Sequence, residues 1–416
     1  MLWQKPSSVS VSRSVTKAIS SIPRHTFLLV LQLALTGCAS FVEQVMSVTD
    51  LDVTPIVDLF KTKEPEISAE QTARLKLVAA ARPLWQSSVE ESKVAIFLPV
   101  SESGAVYAAN SEGRLVRLHA ATGRQAWSIE TQHKLSSGVG MGEGMLLLGT
   151  FKGEVLAFDV TGKSLWKAQV SSEVLGPPQA GSGIVVVRTG DGRIFGLDAT
   201  NGKRKWMYQG ATPALTVRNP SRVLIKRGAA FAGFAGGKLV ALNLSNGNMN
   251  WEATVSRPRG ATELERITDV TSLPVADEWQ VCAASYQGRV ACFEINNGNQ
   301  IWARDVSSSA GLAMDDDYIY LSEDRGAVIA YTKSNGTTVW RQDILSGLRL
   351  TAPTVRGTRV VVGDSQGYVN FFRHDDGTIV LRAVTDESAI FAHPEPMPNG
   401  VIVQTRMGGL YAFGIQ

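Results

Sequence analysis

The sequence predicts an all-β protein, an eight-bladed β-propeller of four-stranded blades. Two repeated phrases support this fold class: a glycine that opens a strand of alternating apolar residues, and a glycine-containing turn that leads to a tryptophan. The second phrase returns about every 42 residues, which is the length of one propeller blade. Its eight places along the chain are Trp85, Trp127, Trp166, Trp206, Trp251, Trp302, Trp340 and Leu381.

Each repeat contains the strands and turns of one blade. The glycine-led strand has eight copies, the first at 113–118 and the last at 409–413. An apolar strand precedes each copy, as at 183–187, and Asn-Gly or Thr-Gly turns lead into the tryptophan strand. With a weaker strand at its start, each unit has four strands. Helical periodicity is scarcely visible after Trp85, apart from a short turn around 257–268.

The two ends of the repeat are complementary. The last glycine-led strand reaches the C-terminus without a tryptophan strand, whereas the tryptophan strand at 82–86 has no unit before it. We expect this N-terminal strand to become the outer strand of the last blade and to close the ring. The tryptophans themselves are expected to pack between blades, because one large ring per blade suits a core position better than a ligand site.

The N-terminus has the features of an export signal. Residues 1–37 contain four basic and no acidic side chains, and an apolar run ends at Leu35-Thr36-Gly37-Cys38. This tetrapeptide resembles the bacterial lipobox, which implies that Cys38 is lipidated; a plain signal peptide followed by a chance cysteine is the alternative. Residues 1–37 are thus expected to be a lipoprotein signal peptide, 38–78 a lipid anchor and tether, and 79–416 the propeller.

The charge and the remaining cysteines limit the function classes. Without residues 1–37 the net charge falls from +3 to −1, so nucleic acid is not an expected partner. In the hairpin around 285–289, Cys282 faces Cys292 across adjacent antiparallel strands. We expect a disulfide there, since an exported chain reaches an oxidising compartment; two facing free thiols are the alternative.

Three sequence features suggest chemistry, but none has the pattern that the chemistry requires. Gly363-Asp364-Ser365-Gln366-Gly367 matches the hydrolase G-x-S-x-G pattern, yet it lies between two strands. Asp315-Asp316-Asp317 lacks the ligand spacing of a calcium loop, and the five histidines lack zinc-ligand spacing. No catalytic residue, metal site or cofactor is therefore predicted.

An insertion breaks the repeat between Trp251 and Trp302. It holds Gly260-Ala261-Thr262-Glu263-Leu264, followed by Arg266 and Asp269. Insertions in repeat folds map to loops, often on a binding face. The alternative is a solvent-exposed loop without a binding role.

Together with the lipobox and the eight repeats, these residues resemble the BamB family, the propeller lipoproteins of the outer-membrane β-barrel assembly machinery. The resemblance implies a non-enzymatic accessory subunit on the periplasmic face of the outer membrane. It implies docking on the POTRA domains of BamA and contact with other Bam subunits. It also implies help in folding and inserting outer-membrane β-barrels, with direct contact to unfolded chains left open.

The family docks through a Leu-x-Leu-Arg loop in one blade and acidic residues in the next. By this resemblance the partner-binding residues are Leu215, Val217, Arg218, Arg266 and Asp269, with Val217 in the second apolar place and Thr271 where another acid is common. Two alternatives stay open. One is a quinone (PQQ)-dependent dehydrogenase-like propeller, which this chain matches less well because it has no adjacent cysteine pair. The other is a scaffold of another envelope complex.

Overall fold

The computed structural model describes residues 67–92, 96–210, 222–262 and 264–415. These residues form eight antiparallel sheets, of which seven have four strands and one has a fifth strand added in parallel. The predicted eight-bladed propeller is therefore confirmed. No helix in this part of the chain is both long and apolar enough to cross a membrane.

The elements of the described residues follow the order of the repeat. One helix, α1 (Ala69–Lys76), precedes the strands. In chain order the strands are β1 (Ala79–Ala80), β2 (Trp85–Ser88), β3 (Val100–Glu102), β4 (Ala105–Ala109), β5 (Arg114–His119), β6 (Gln125–Glu130), β7 (Leu135–Gly142), β8 (Met145–Thr150), β9 (Glu154–Asp159), β10 (Ser164–Gln169), β11 (Gln179–Gly181), β12 (Ile184–Arg188), β13 (Arg193–Asp198), β14 (Arg204–Gln209), β15 (Leu224–Lys226), β16 (Ala229–Phe234), β17 (Lys238–Asn243), β18 (Met249–Thr254), β19 (Val275–Ala276), β20 (Gln280–Ala284), β21 (Arg289–Glu294), β22 (Gln300–Asp305), β23 (Gly311–Met314), β24 (Tyr318–Ser322), β25 (Val328–Thr332), β26 (Thr338–Gln342), β27 (Thr354–Arg356), β28 (Arg359–Gly363), β29 (Tyr368–Arg373), β30 (Ile379–Val384), β31 (Glu395–Met397), β32 (Gly400–Gln404) and β33 (Gly409–Gly414).

The ring closes as the sequence predicts. Blades 1 to 7 each take four consecutive strands, from β3 to β6 in blade 1 through β27 to β30 in blade 7. Blade 8 contains β31, β32 and β33, and its outer strand is β2 from the N-terminal side of the chain. Trp85 lies opposite Ala412 in this antiparallel pair, and the Leu84 N–H donates to the Ala412 carbonyl at 2.7 Å.

Six tryptophans dock on a turn of the next blade along the ring. They are 5–9% exposed, and their indole N–H groups donate to carbonyl oxygens of that blade at 2.8–3.0 Å. A glycine with positive φ lies flat against each indole ring, so that an added Cβ would approach the ring to 2.4–2.7 Å. Trp127 is a seventh copy that packs more loosely, because a Cβ added at Gly162 would lie 3.5 Å from its ring.

The apolar core is divided among the interfaces between blades. Eight buried clusters are present in the described residues, and each is built from two neighbouring blades. The cluster between blades 8 and 1 contains Trp85, so ring closure buries apolar area just as the other interfaces do.

Helix α1 lies in the segment that the sequence assigned to the tether. Ser68 and Gln71 form a reciprocal capping box at its start. Leu75 is 2% exposed in the cluster between blades 6 and 7, and Gln71 Nε2 donates to the Ile344 and Ser346 carbonyls at 3.3 and 3.0 Å. The domain boundary at residue 79 stays a prediction, but the contacts with the propeller begin before it.

A pair of glycine variants tests the tryptophan docking. Gly247 and Gly228 have similar φ values, +73° and +70°, but a Cβ at Gly247 would lie 2.6 Å from the Trp206 ring, whereas Gly228 has nothing within 4 Å. Gly247→Ala should therefore lower the free energy of unfolding by about 2 kcal/mol more than Gly228→Ala, as measured by denaturant titration. Equal losses would mean that backbone strain alone governs both positions.

Truncation tests the closure of the ring. A chain that begins at Glu90 loses β2 and Trp85, whereas a matched chain that begins at Arg82 keeps both. Loss of the buried indole should cost the shorter chain about 3–5 kcal/mol in unfolding free energy relative to the longer one. Hydrogen exchange should show the loss of protection first in β33. Unchanged protection there would contradict the closing role of β2.

Candidate functional site

The connection between β18 and β19 lies across the hairpins of two blades. The Val270 N–H donates to the Phe234 carbonyl of blade 4 at 3.1 Å, and the Tyr286 N–H of blade 5 donates to the Asp269 carbonyl at 2.9 Å. The second half of the insertion that breaks the sequence repeat is thus hydrogen-bonded to the propeller. We call this connection, residues 255–274, the blade 4–5 connection.

Asp269 is the buried centre of this connection. Its side chain is only 4% exposed, and Oδ1 accepts a hydrogen bond from the Gly236 N–H at 3.1 Å. Gly236 lies in the turn from β16 to β17, where its φ of +70° favours glycine. Because a buried carboxylate is stabilised by donors that already belong to the fold, Asp269 holds the connection against blade 4.

Arg188 approaches the same place from blade 3. It is the last residue of β12, and its Nη1 donates to the Gly233 carbonyl of blade 4 at 2.5 Å while its guanidinium lies 5.0 Å from the centre of the Phe234 ring. Burial lowers the pKa of Arg188 to about 10, and the negative charge of Asp269 opposes that shift. Arg188 therefore stays protonated at pH 7 and supplies positive charge beside the carboxylate.

The first half of the connection forms an exposed turn. Glu265 Oε2 accepts from the Ala261 and Thr262 N–H groups at 2.8 and 3.1 Å, and the Glu265 N–H donates to Thr262 Oγ1 at 3.2 Å. These hydrogen bonds, led by the Thr262 N–H, lower the pKa of Glu265. The turn presents Leu264, which is 69% exposed, and Arg266, whose side chain is also exposed.

Two of the predicted partner-binding residues, Arg266 and Asp269, lie on the blade 4–5 connection, but only one of them is exposed. Arg266 faces solvent, whereas Asp269 is buried and engaged within the chain. Their role in docking stays a prediction. The remaining partner-binding and lipidation residues lie outside the described part of the chain: Cys38, Leu215, Val217 and Arg218.

Sequence reasoning missed Arg188, and it noted that Thr271 stands where the family commonly has an acid. Thr271 is 4% exposed and donates to the Ser309 carbonyl at 3.4 Å, so its side chain contributes packing rather than surface charge. A signal for Arg188 was present in the sequence, because a cation ends the otherwise apolar strand 184–188. Its partner Asp269 is 81 residues away, which no local pattern reveals.

The cysteine pair lies in the core between blades 5 and 6. Cys282 is opposite Cys292 in the register of β20 and β21, with a Cα–Cα distance of 4.1 Å, and the two sulfur atoms form a disulfide. Both residues are fully buried. The redox state in the cell stays a prediction.

The comparisons with known proteins point in one direction. A family model described as outer membrane protein assembly factor BamB matches residues 71–134, 111–342 and 328–416. A relative with this name from Nitrosomonas eutropha is 52% identical over 392 residues, which cover 94% of each chain. Another from Bordetella pertussis is 40% identical and covers 80% of this chain and 86% of its own.

Solved structures show the same fold. BamB from Moraxella catarrhalis matches with a TM-score of 0.75 and 25% identity, over 81% of this chain and all of that one. A quinohemoprotein alcohol dehydrogenase from Comamonas testosteroni matches with a TM-score of 0.64 and 14% identity, over 83% of this chain and 78% of its own. At that identity the second likeness concerns the propeller architecture alone.

Thiol labelling tests the cysteine pair. A Cys38→Ser variant keeps only Cys282 and Cys292, and after export and denaturation without reductant we expect neither to react with a maleimide. Reduction should expose two thiols and lower the unfolding free energy by about 2–3 kcal/mol, as expected for a short closed loop. A matched Cys282→Ala/Cys292→Ala variant should show no response to reductant. Labelling of both thiols before reduction would contradict the disulfide.

Proposed function

Since the chain belongs to the BamB family of outer membrane protein assembly factors, we propose that it is a non-enzymatic subunit of the β-barrel assembly machinery. A lipid on Cys38 holds it at the periplasmic face of the outer membrane. The propeller docks on the POTRA domains of BamA, contacts other Bam subunits, and assists the folding and insertion of outer-membrane β-barrel proteins.

The blade 4–5 connection is the observation that supports this docking role most directly. It is the part that departs from the repeat, and it combines an exposed apolar and cationic turn with a base that is fixed from three sides. The Gly236 N–H of blade 4 and the Tyr286 N–H of blade 5 both donate to Asp269. Arg188 of blade 3 donates to the Gly233 carbonyl and lies over the Phe234 ring beside them. A turn that is already ordered loses little conformational entropy on binding.

The two exposed side chains have complementary tasks in this proposal. Leu264 offers a small apolar anchor, and Arg266 offers a charge that orients the partner and speeds encounter. Leu215, Val217 and Arg218 belong to the connection from β14 to β15, which is the equivalent of the blade 4–5 connection one blade earlier. We therefore assign them to the same docking edge.

Variants of the exposed turn test the docking edge. Leu264→Ala combined with Arg266→Glu should reduce affinity for purified BamA POTRA domains about tenfold or more, because it removes the anchor and reverses the charge. Recovery of BamA with the tagged protein from solubilised envelopes should fall in parallel. Arg124→Glu is a charge-matched control, since Arg124 is exposed on a turn from β5 to β6.

Asp269→Asn separates positioning from direct contact. The substitution keeps the shape of a buried side chain but removes the charge beside Arg188, so the exposed turn should lose order and POTRA affinity together. Unchanged affinity in all these variants would mean that BamA binds at another surface of the propeller. Absence of BamA from the wild-type preparation, with other envelope complexes preserved, would favour a scaffold of another complex.

A further inference from the structure

Trp279 is an exposed tryptophan outside the repeat. It lies in the hairpin from β19 to β20 and is 79% exposed, whereas the six docked tryptophans are 5–9% exposed. Within the described residues its ring makes no aromatic or cation–π contact. Packing inside the propeller therefore does not account for this side chain.

The hairpin that carries Trp279 is held in one shape. Asp277 Oδ1 accepts from the N–H groups of Trp279 and Gln280 at 2.7 and 2.8 Å. On the other side, the Ile295 N–H donates to the Trp279 carbonyl at 2.8 Å. The backbone on both sides of the indole is thus hydrogen-bonded, and the ring projects from a fixed base.

Blade 4 braces the hairpin through an ion-pair cluster. The Glu278 carboxylate lies 2.6 Å from Lys226 Nζ and 3.5 Å from Arg227 Nη1, and Arg227 Nη1 also donates to the Glu278 carbonyl at 2.7 Å. The exposed carboxylate of Glu278 is therefore engaged by two cations of the neighbouring blade. Because its charge is already paired, Glu278 does not determine the charge of the ligand that this surface binds.

Blade 6 braces the hairpin from the opposite direction and brings negative charge to it. Lys333 Nζ lies 3.2 Å from Asp277 Oδ2 and donates to the Asp315 carbonyl at 3.2 Å, so one lysine joins the two hairpins. The next residues, Asp316 and Asp317, are exposed, and their carboxylates form no ion pair within the described part of the chain. Two exposed carboxylates without an ion pair among the described residues therefore lie on the hairpin next to that of Trp279.

This surface is on the face opposite the docking edge. Trp279 directly precedes β20, and Tyr286, whose N–H donates to the Asp269 carbonyl, comes two residues after its last residue. A five-residue strand separates the two positions by about 17 Å. A partner at either face therefore leaves the other accessible.

We propose that Trp279, Asp316 and Asp317 form a second docking surface, which binds an arginine-bearing segment of a protein partner. The guanidinium stacks on the indole ring while the two carboxylates attract and orient it. The chain already uses this contact internally, since the Arg382 guanidinium lies 3.5 Å from the centre of the Tyr368 ring. The proposal does not depend on the proposed function, because it concerns the other face.

A peptide titration tests this surface. The full chain with Cys38→Ser is labelled with nitrogen-15 tryptophan, and the indole N–H signal of Trp279 is assigned through Trp279→Phe. The probe is an acetylated Gly-Ser-Arg-Gly-Arg-Ser-Gly amide, and its control has citrulline in place of both arginines. We expect a saturable shift of the Trp279 signal with the arginine peptide and at least about fivefold weaker binding of the citrulline peptide.

Matched variants separate the proposal from its alternatives. Asp316→Asn/Asp317→Asn and Trp279→Ala should each weaken peptide binding about fivefold or more, whereas Leu264→Ala on the other face should leave it unchanged. Equal binding of the two peptides, or full binding by Trp279→Ala, would overturn the proposal. A third outcome would also overturn it: no response to either peptide, together with a blue shift of the tryptophan fluorescence on phosphatidylethanolamine–phosphatidylglycerol vesicles that Trp279→Phe abolishes. That result would assign a membrane contact to this surface. BamA recovery with Trp279→Ala should equal that of the wild type, which keeps this test distinct from that of the docking edge.

Discussion

The contact between a tryptophan of one blade and a glycine turn of the next is the interaction on which the ring depends. The indole ring covers a glycine that has no Cβ to displace it, and the indole N–H satisfies a carbonyl oxygen of the same turn, as between Trp206, Gly247 and Leu244. A single four-stranded blade cannot bury both of its faces. Docking it onto its neighbour buries one face and fixes the angle between blades, so that eight copies return to the start.

The interface between blades 7 and 8 lacks the tryptophan of this contact, and the N-terminal segment lies beside it. Leu381 stands in the tryptophan position, and β1 pairs with β30 at that residue, which gives blade 7 its fifth strand. Just after β1, Ala81 packs against the cluster between blades 7 and 8. Upstream, Leu75 of helix α1 lies in the cluster between blades 6 and 7, which already contains Trp340. The N-terminal segment therefore crosses the outer edge of the ring where the repeat is weakest, and it then supplies Trp85 to blade 8.

The sequence reveals the propeller because its determinants are local and periodic. Each blade carries its own glycine turn and tryptophan, and the Cys282–Cys292 register follows from one hairpin. Helix α1 is different: its cap at Ser68 is visible in the sequence, but its position depends on a single buried leucine and on carbonyl groups about 270 residues away. The burial of Asp269 depends in the same way on contacts with separate blades, which no local sequence pattern reveals.

The two irregular features of blade 5 share one physical design. The Asp269 segment breaks the repeat, and the Trp279 hairpin carries a tryptophan outside the repeated position. Charged groups of neighbouring blades hold both in place, through Arg188 in one case and Lys333 in the other. Their conformational entropy is therefore lost when the propeller folds, and binding needs little further ordering. Because the two features lie at opposite ends of β20, the stiff blade between them fixes the distance between whatever binds at each face. A rigid ring with these two proposed faces can hold two partners in a defined arrangement.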